Sequence, residues 1–183
     1  MEKSIKLSKI NKKQIIKQIL QGKIFIYPTD TIYGIGCNAL DKKSVNKIKS
    51  IKKRDKNKPL SIIVPSKNWI KQNCIIPSNL KISKYLPGPY TIILKKKNPK
   101  FLNHVSKTDS LGIRIPRNSF TKIIQKSKLP FITTSVNLSN EKPITNTNEI
   151  PDKIKNKVDI IIKSKSLTGK PSTLIINRKK IKR

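Results

Sequence analysis

Short apolar runs alternate with amphipathic stretches along the chain. Runs of β-branched and aromatic residues bounded by polar or turn residues are typical of buried strands. They predict strands at 24–27, 60–64, 90–94, 111–115, 131–133, 158–162 and 174–176. Helical spacing of apolar residues predicts helices between several of these strands. Strands mixed with helices favour one α/β or α+β domain whose sheet is covered by helices.

The predicted helices begin at polar residues that can accept hydrogen bonds from backbone amides. Ser8 is expected to cap a first helix that stops at Gly22 and has one apolar face, made of Ile15, Ile16, Ile19 and Leu20. Asp41 is expected to cap a second helix, whose apolar positions are Val45, Ile48 and Ile51. Further helices are predicted at 66–72, at 78–86 and, after Asn118, at 119–127, and a long loop is expected at 137–152.

The segment Pro28-Thr29-Asp30-Thr31-Ile32-Tyr33-Gly34-Ile35-Gly36 directly follows the first predicted strand. Pro28 cannot donate to a strand ladder, so pairing should stop or weaken there. Hydroxyl and carboxylate groups at a strand end suit a ligand site, and the two glycines allow a close backbone approach or a positive φ. A strand followed by an Asx-type turn explains the same residues. The segment is not a P-loop, because no Gly-Lys-Ser/Thr follows it.

Composition narrows the class of protein. The 183 residues fit one domain, and no apolar stretch approaches the roughly 20 residues of a membrane span, so a cytoplasmic protein is expected. The net charge of +33 attracts polyanions, although 37 of the 42 basic residues are lysines, as a genome rich in A and T would also produce. The chain has only five arginines, so Arg54 and Arg114 are candidates for positions that need a planar guanidinium, which can bind an anion through two nitrogens as lysine cannot.

The remaining reactive side chains are expected to be structural. Cys37 and Cys74 have no metal-type spacing and are expected to be reduced, partly buried thiols. His104 is the single histidine, which argues against a catalytic triad or a multi-histidine metal site. Trp69 has no aromatic cluster around it and is expected to pack in the fold instead of stacking on a base.

Polar side chains recur at the ends of the predicted strands. They lie at 29–31, at Arg54 and Lys58, at Ser110 and Arg114, at 134–137 and at 171–173. Their recurrence predicts a single cleft lined by hydroxyls and cations. Such a lining suits a ligand that carries phosphates and a carboxylate, because cations neutralise the anions while Ser, Thr and Asn fix orientation.

Five motifs resemble, in order and spacing, those of the YrdC-type threonylcarbamoyl-AMP synthases. They are the 28–36 segment, Lys52-x-Arg54-x-x-x-Lys58-Pro59-Leu60, Pro87-Gly88-Pro89-Tyr90-Thr91, Gly112-Ile113-Arg114-Ile115-Pro116 and Ser135-Val136-Asn137-Leu138-Ser139. The resemblance runs from about residue 8 to the C-terminus. It implies a YrdC-like twisted mixed sheet with flanking helices and a basic central groove, in the short form with a single domain over 1–183.

The resemblance also implies an activity and its partners. The enzyme would condense L-threonine, bicarbonate and ATP into threonylcarbamoyl-adenylate and pyrophosphate, with Mg²⁺ carried on the ATP phosphates and no dedicated metal site. A separate transferase complex would use the adenylate to modify adenosine 37 of tRNAs that read codons beginning with A. Binding of tRNA or other RNA in the basic groove is a further expectation.

The family's functional residues map onto this sequence position by position. Thr31, Arg114, Ser135 and Ser172 would form the threonine pocket, and Arg54, Lys58, Ser110, Asn137, Thr145 and Arg183 would bind ATP. Arg54, Lys58 and Arg114 would position the reactants, and no covalent intermediate is required. Two positions depart from many relatives: Lys58 replaces Asn, and Ile63 replaces a pocket-lining His.

Two other functions fit parts of the sequence. An RNA-binding module would show strong salt-dependent affinity for RNA and no ATP turnover. A carbamoyl-transfer domain like those in hydrogenase-maturation proteins would come with additional zinc-finger domains, for which this chain has neither the length nor the cysteines.

Overall fold

A mixed β-sheet with helices on both faces forms the frame of the protein. The computed structural model describes residues 3–139, 141–167 and 169–182. The strands in this part of the chain are β1 (Ser4–Lys6), β2 (Phe25–Tyr27), β3 (Gly34–Gly36), β4 (Ser61–Ile63), β5 (Cys74–Ile75), β6 (Tyr90–Lys96), β7 (Ser110–Arg114), β8 (Phe131–Ser135), β9 (Ile160–Lys163), β10 (Thr173–Ile176) and β11 (Lys179–Ile181). The helices are α1 (Lys12–Leu20), α2 (Lys42–Ile51), α3 (Lys67–Asn73), α4 (Ser119–Lys126) and α5 (Asp152–Lys155).

The strand order shows how distant segments of the chain meet. It runs β1-β9-β2-β3-β8-β4-β7-β6-β10-β11, and β5 pairs with β6 beside this path. β4 and β7 are parallel, as are β6 and β10, whereas β3 and β4 both run antiparallel to β8. The predicted mixed sheet is therefore confirmed. β8 joins the two halves of the sheet, and Ser135 lies at its end.

Two hydrophobic clusters cover the sheet. Ile15 and Ile19 of α1 and Phe120 of α4 belong to a cluster that also contains Phe25 and Phe131. The larger cluster contains the apolar face of α2 and extends across the other face of the sheet. Because helices cover both faces, the strand interiors are excluded from solvent and polar side chains are found mainly at the strand ends.

Local signals in the sequence set most helix ends. Asp41 caps α2, since its carboxylate accepts from the amides of Lys43 and Ser44, and Asn118 caps α4. Gly22 follows α1 with a φ of 72°, as a left-handed helix stop requires.

Other predictions were wrong. Asn11, not Ser8, caps α1, because Ser8 lies in the 3₁₀ turn Leu7–Lys9. The predicted helix at 78–86 contains only the 3₁₀ turn Ile82–Lys84, since the closely following prolines favour extended backbone. The short strands β1, β3, β5 and β11 and the helix α5 were not predicted, because segments this short show no clear periodicity.

Gly36 allows a close approach between two strands, without a positive φ. A Cβ added at Gly36 would lie 1.9 Å from the carbonyl oxygen of Ile132 in β8, whereas one at Gly34 would lie 3.0 Å from the ring of Tyr27. The glycine thus serves sheet packing and not a phosphate cradle.

We expect Gly36→Ala to lower the free energy of unfolding by about 3 kcal/mol, because a backbone carbonyl cannot move aside as a side chain can. Gly34→Ala is the matched control in the same strand and should cost less. Urea denaturation of both variants measures the difference, and an equal or smaller loss for Gly36→Ala would contradict this account.

Candidate active site

The strand ends surround a cleft of about 390 Å³. Its walls come from the β2–β3 connection, the segment before β4, the strands β4 and β6 to β8, and the segment that enters β10. The lining residues are Thr29, Ile32, Tyr33, Gly34, Arg54, Pro59, Leu60, Ser61, Thr91, Ile93, Gly112, Arg114, Thr133, Thr134, Ser135, Pro143, Pro171, Ser172 and Leu174. Hydroxyls and two arginines dominate its polar groups. The predicted single cleft is confirmed.

Arg114 is the buried cation of the cleft. Its side chain is 8% exposed, and its Nη2 donates to Asp30 Oδ1 at 3.1 Å and to Thr31 Oγ1 at 3.3 Å. Its Nε is buried and has no hydrogen-bond partner among the described residues. This Nε is shielded from solvent within the protein, so a ligand in the cleft would meet the guanidinium through Nη1, for which a carboxylate oxygen is a suitable acceptor.

The 28–33 segment is both a turn and part of the site. Thr29 Oγ1 donates to the carbonyl oxygen of Ile32 at 2.7 Å and accepts from the amide of Thr31 at 3.1 Å, so a threonine, not Asp30, builds the turn. Asp30 instead pairs with Arg114 and accepts from the amide of Arg117 at 2.8 Å. Asp30 therefore orients the guanidinium, a role that the sequence did not suggest.

Lys52 is a buried cation that the sequence prediction of the site missed. Its side chain reaches from the end of α2 to β8, where Nζ donates to the carbonyl oxygen of Ser135 at 2.6 Å, to that of Asn137 at 2.7 Å and to Asn137 Oδ1 at 2.8 Å. Ser135 Oγ also donates to Asn137 Oδ1, at 2.6 Å. Three acceptors match the three protons of an ammonium group. Lys52 and Asn137 together hold the backbone and the side chain of Ser135 at the cleft.

Burial, followed by the charge of Arg54, lowers the pKa of Lys52 to about 7. An unfolded chain restores an ordinary lysine pKa near 10.4, so it binds more protons than the folded protein between these values. We therefore expect the contribution of Lys52 to stability to rise as the pH increases from 7 towards 10. Urea denaturation at several pH values, compared with Lys52→Met, tests this: the variant should show a smaller rise, and an equal rise would contradict it.

Arg54 lies on the loop between α2 and β4, at the cleft wall. Its Nη2 donates to the carbonyl oxygen of Pro59 at 2.8 Å. Lys49, which is 5% exposed, holds the same loop because its Nζ donates to the carbonyl oxygens of Lys56 and His104, each at 2.8 Å. The loop therefore presents Arg54 from a fixed backbone.

The predicted site residues fall into three groups. Arg54, Arg114, Ser135 and Ser172 line the cleft. Thr31 and Asn137 are buried beside it, and their side chains contact lining residues or Lys52. Among the described residues, Lys58, Ser110 and Thr145 are not part of the lining.

These three residues have other surroundings in this structure. Lys58 is exposed, Ser110 Oγ lies 3.4 Å from Asp109 Oδ1 at the far end of β7, and the amide of Thr145 donates to Glu149. Arg183, also predicted to bind ATP, lies outside the described residues. Ile63 is fully buried in the cluster under α1 and α4 and is not part of the cleft lining.

The two cysteines, His104 and Trp69 all lie outside the cleft lining. Cys37 and Cys74 are free and buried, and burial raises the pKa of Cys74 to about 11. His104 Nε2 contacts the carbonyl oxygen of Ala39 at 2.8 Å, away from the cleft lining. Trp69 packs against Phe101, with ring centroids 5.9 Å apart.

The described residues contain neither a cluster of metal-ligating side chains nor a helix that could span a membrane. No group of three or more His, Cys, Asp or Glu side chains within 3–139, 141–167 and 169–182 could hold a metal ion. None of the helices in the same ranges combines the length and apolar character of a membrane span.

The mixed sheet and the cleft with a buried arginine define an α/β protein whose cleft has the size and polar lining to suit a small polar ligand. The chain belongs to the Sua5/YciO/YrdC family, whose model is described as "Telomere recombination" and matches residues 17–182.

Relatives with assigned names support this membership. A putative threonylcarbamoyl-AMP synthase of Methanocaldococcus jannaschii is 43% identical over 183 residues, covering 94% of this chain and 86% of the relative. The threonylcarbamoyl-AMP synthase of Pyrococcus abyssi is 29% identical over 164 residues, covering 86% of this chain and 48% of the relative.

Solved structures share the fold. P. abyssi Sua5 complexed with L-threonine has a TM-score of 0.80 and 27% identity, with 94% of this chain and 53% of that chain covered. Escherichia coli YciO has a TM-score of 0.80 at 23% identity and covers 98% of this chain and 95% of its own, which supports the fold alone. The chain thus spans about half the length of the P. abyssi protein.

Proposed function

We propose that this chain is a threonylcarbamoyl-AMP synthase, with one domain over residues 1–183. The observation that carries the proposal is Arg114, a largely buried guanidinium in the wall of a cleft lined by hydroxyls. A free amino acid offers a carboxylate for this group, and hydroxyls can hold its amine and side-chain oxygen. The names of the relatives and the threonine-bound Sua5 structure support the same ligand.

In this proposal the described residues divide the substrates between them. Arg114 takes the threonine carboxylate, Ser135 and Ser172 contact its polar groups, and Thr31 acts through Arg114. Arg54 takes the ATP phosphates at the cleft wall. The other proposed ATP ligands are Lys58, Ser110, Asn137, Thr145 and Arg183. In this structure the side-chain oxygen of Asn137 accepts from Lys52 and Ser135, so Asn137 would also act by holding Ser135 in place.

The reaction needs no covalent enzyme intermediate. The amine of threonine and bicarbonate form a carbamate and release water. A carbamate oxygen then attacks the α-phosphorus of ATP, and pyrophosphate leaves as the adenylate forms. Fixed cations supply most of the rate enhancement, since charge neutralisation and positioning dominate transfer at phosphorus. Mg²⁺ would arrive on the ATP phosphates.

The product suggests the cellular role. We propose that the adenylate passes to a tRNA threonylcarbamoyl-transferase complex in the cytoplasm, for adenosine 37 of tRNAs that read codons beginning with A. The strongly basic surface supports a contact with tRNA, because only three ion pairs join side chains in the described part of a chain with 42 basic and 9 acidic residues.

One assay tests the proposed activity. The pure protein is incubated with ATP, L-threonine and bicarbonate, and we expect threonine-dependent pyrophosphate and the adenylate, detected by mass spectrometry. Omitting threonine or bicarbonate provides the control. A folded protein without product would refute the synthase, and salt-dependent RNA binding without ATP turnover would favour the RNA-binding module.

A further inference from the structure

Thr91 and Ser172 form a buried pair of hydroxyls in the cleft wall. Their oxygens lie 2.7 Å apart, and each residue is 1% exposed. Thr91 belongs to the Pro87-Gly88-Pro89-Tyr90-Thr91 motif, which supplies none of the proposed substrate contacts. Since both residues line the cleft, this contact belongs to the site and not to the distant core.

The strand pairing places Thr91 between two parts of the proposed threonine pocket. On one side of β6, Thr91 is the parallel partner of Leu174 in β10, which begins directly after Ser172. On the other side, the next residue, Ile92, pairs with Ile113 of β7, directly before Arg114. Thr91 therefore lies on the strand that separates Ser172 from Arg114.

The methyl group of Thr91 has a fixed neighbour. A Cβ added at Gly112 would lie 3.3 Å from Thr91 Cγ2, so the methyl group packs along the backbone of β7. A β-branched side chain has few χ1 rotamers in a strand. With the methyl group held there, the hydroxyl is directed towards Ser172.

We propose that Thr91 is a positioning residue for the amino-acid substrate, since its hydroxyl orients Ser172 Oγ towards the ligand. This inference rests on the proposed function. Without the Thr91 hydroxyl, Ser172 Oγ loses this hydrogen bond and the site loses part of its preorganisation for threonine. ATP contacts other residues in the proposal, so its binding is unaffected.

Thr91→Val removes the hydroxyl while keeping the shape of the side chain. We expect the KM for threonine to rise roughly 3- to 10-fold, as the loss of one hydrogen bond predicts. The kcat and the KM for ATP should stay within about twofold of the wild-type values. A general structural defect would instead change these two constants as well. Thr91→Ser keeps the hydroxyl but loses the methyl group that directs it, so its KM for threonine should lie between those of the wild type and of Thr91→Val. Thr121→Val, at a buried threonine of α4 outside the cleft, is the matched control.

A double-mutant cycle tests whether Thr91 acts through Ser172. Ser172→Ala alone raises the KM for threonine, and adding Thr91→Val to it should cause no further rise. A full additional rise in the double variant would overturn the inference, as would an unchanged KM in Thr91→Val.

Calorimetric titration with L-threonine separates this inference from the proposed function. A wild-type protein that binds and turns over threonine, with an affinity that Thr91→Val leaves unchanged, overturns only the role of Thr91. A folded wild-type protein that neither binds nor turns over threonine overturns both. Weaker threonine binding by Thr91→Val, with partial recovery in Thr91→Ser, supports both.

Discussion

Arg114→Lys should lower kcat/KM for threonine roughly 100-fold, because charge-assisted hydrogen bonds contribute about 1.5–3 kcal/mol each. Lysine keeps the positive charge and can still pair with Asp30. It cannot hold Asp30 and Thr31 with one nitrogen while presenting a second donor to the ligand, as the planar guanidinium does. The measurement is threonine-dependent pyrophosphate release at several threonine concentrations.

Arg117→Lys is the matched control for this substitution. Arg117 lies three residues further on and is exposed, and within the described residues its guanidinium bonds to the carbonyl oxygen of Pro87 alone, at 3.4 Å. We expect its kinetics to resemble those of the wild type. Near wild-type threonine kinetics in Arg114→Lys would refute the carboxylate contact, and circular dichroism shows whether both variants fold.

Lys52→Met should abolish most of the activity, by roughly 100-fold or more, even though Lys52 is not in the cleft lining. Without the ammonium group, the carbonyls of Ser135 and Asn137 lose their partner, at about 1–3 kcal/mol for each buried group. The end of β8 then relaxes, and Ser135 leaves its place in the cleft. Displacements of this size are sufficient to slow a reaction that depends on positioning.

Lys96→Met separates this effect from the general cost of removing a buried lysine. Lys96 is 1% exposed and its Nζ donates to the carbonyl oxygen of Ser106 at 3.1 Å, outside the cleft lining. Both variants should lose stability in urea, but only Lys52→Met should lose activity at temperatures where both are folded. Equal loss of activity in both variants would contradict a specific role for Lys52.

Local interactions are the reason why part of the structure could be predicted. Asp41 bonds to amides two and three residues away, so its capping role is visible in the sequence. The buried strands are apolar runs in the sequence itself. Arg114 stood out because arginine is rare in this lysine-rich chain.

Long-range contacts explain what the sequence could not show. Lys52 meets Ser135 and Asn137 across 83 and 85 positions, and Asp30 meets Arg114 across 84. In a chain with 37 lysines, no local pattern distinguishes Lys52 from its solvated neighbours; its place two residues before Arg54 in a recognised motif was the available signal. Ser110 and Arg114 lie at opposite ends of β7, and only Arg114 is in the cleft lining. The sequence does not show how far along a strand a cleft extends, so it could not separate these two residues.

The pairing of Arg114 with Asp30 also determines which net charge the cleft selects. Their side chains are 8% and 10% exposed, so the two charges largely cancel in a poorly solvated place. This ion pair is therefore a fixed dipole at the cleft wall, with Arg114 in the lining, inside a molecule that is strongly positive outside. A zwitterion of modest size can align with that dipole, whereas a simple anion meets the carboxylate as well as the guanidinium. In the proposed function this dipole would favour a zwitterionic amino acid beside Arg114, while Arg54 at the cleft wall would meet the phosphates of ATP.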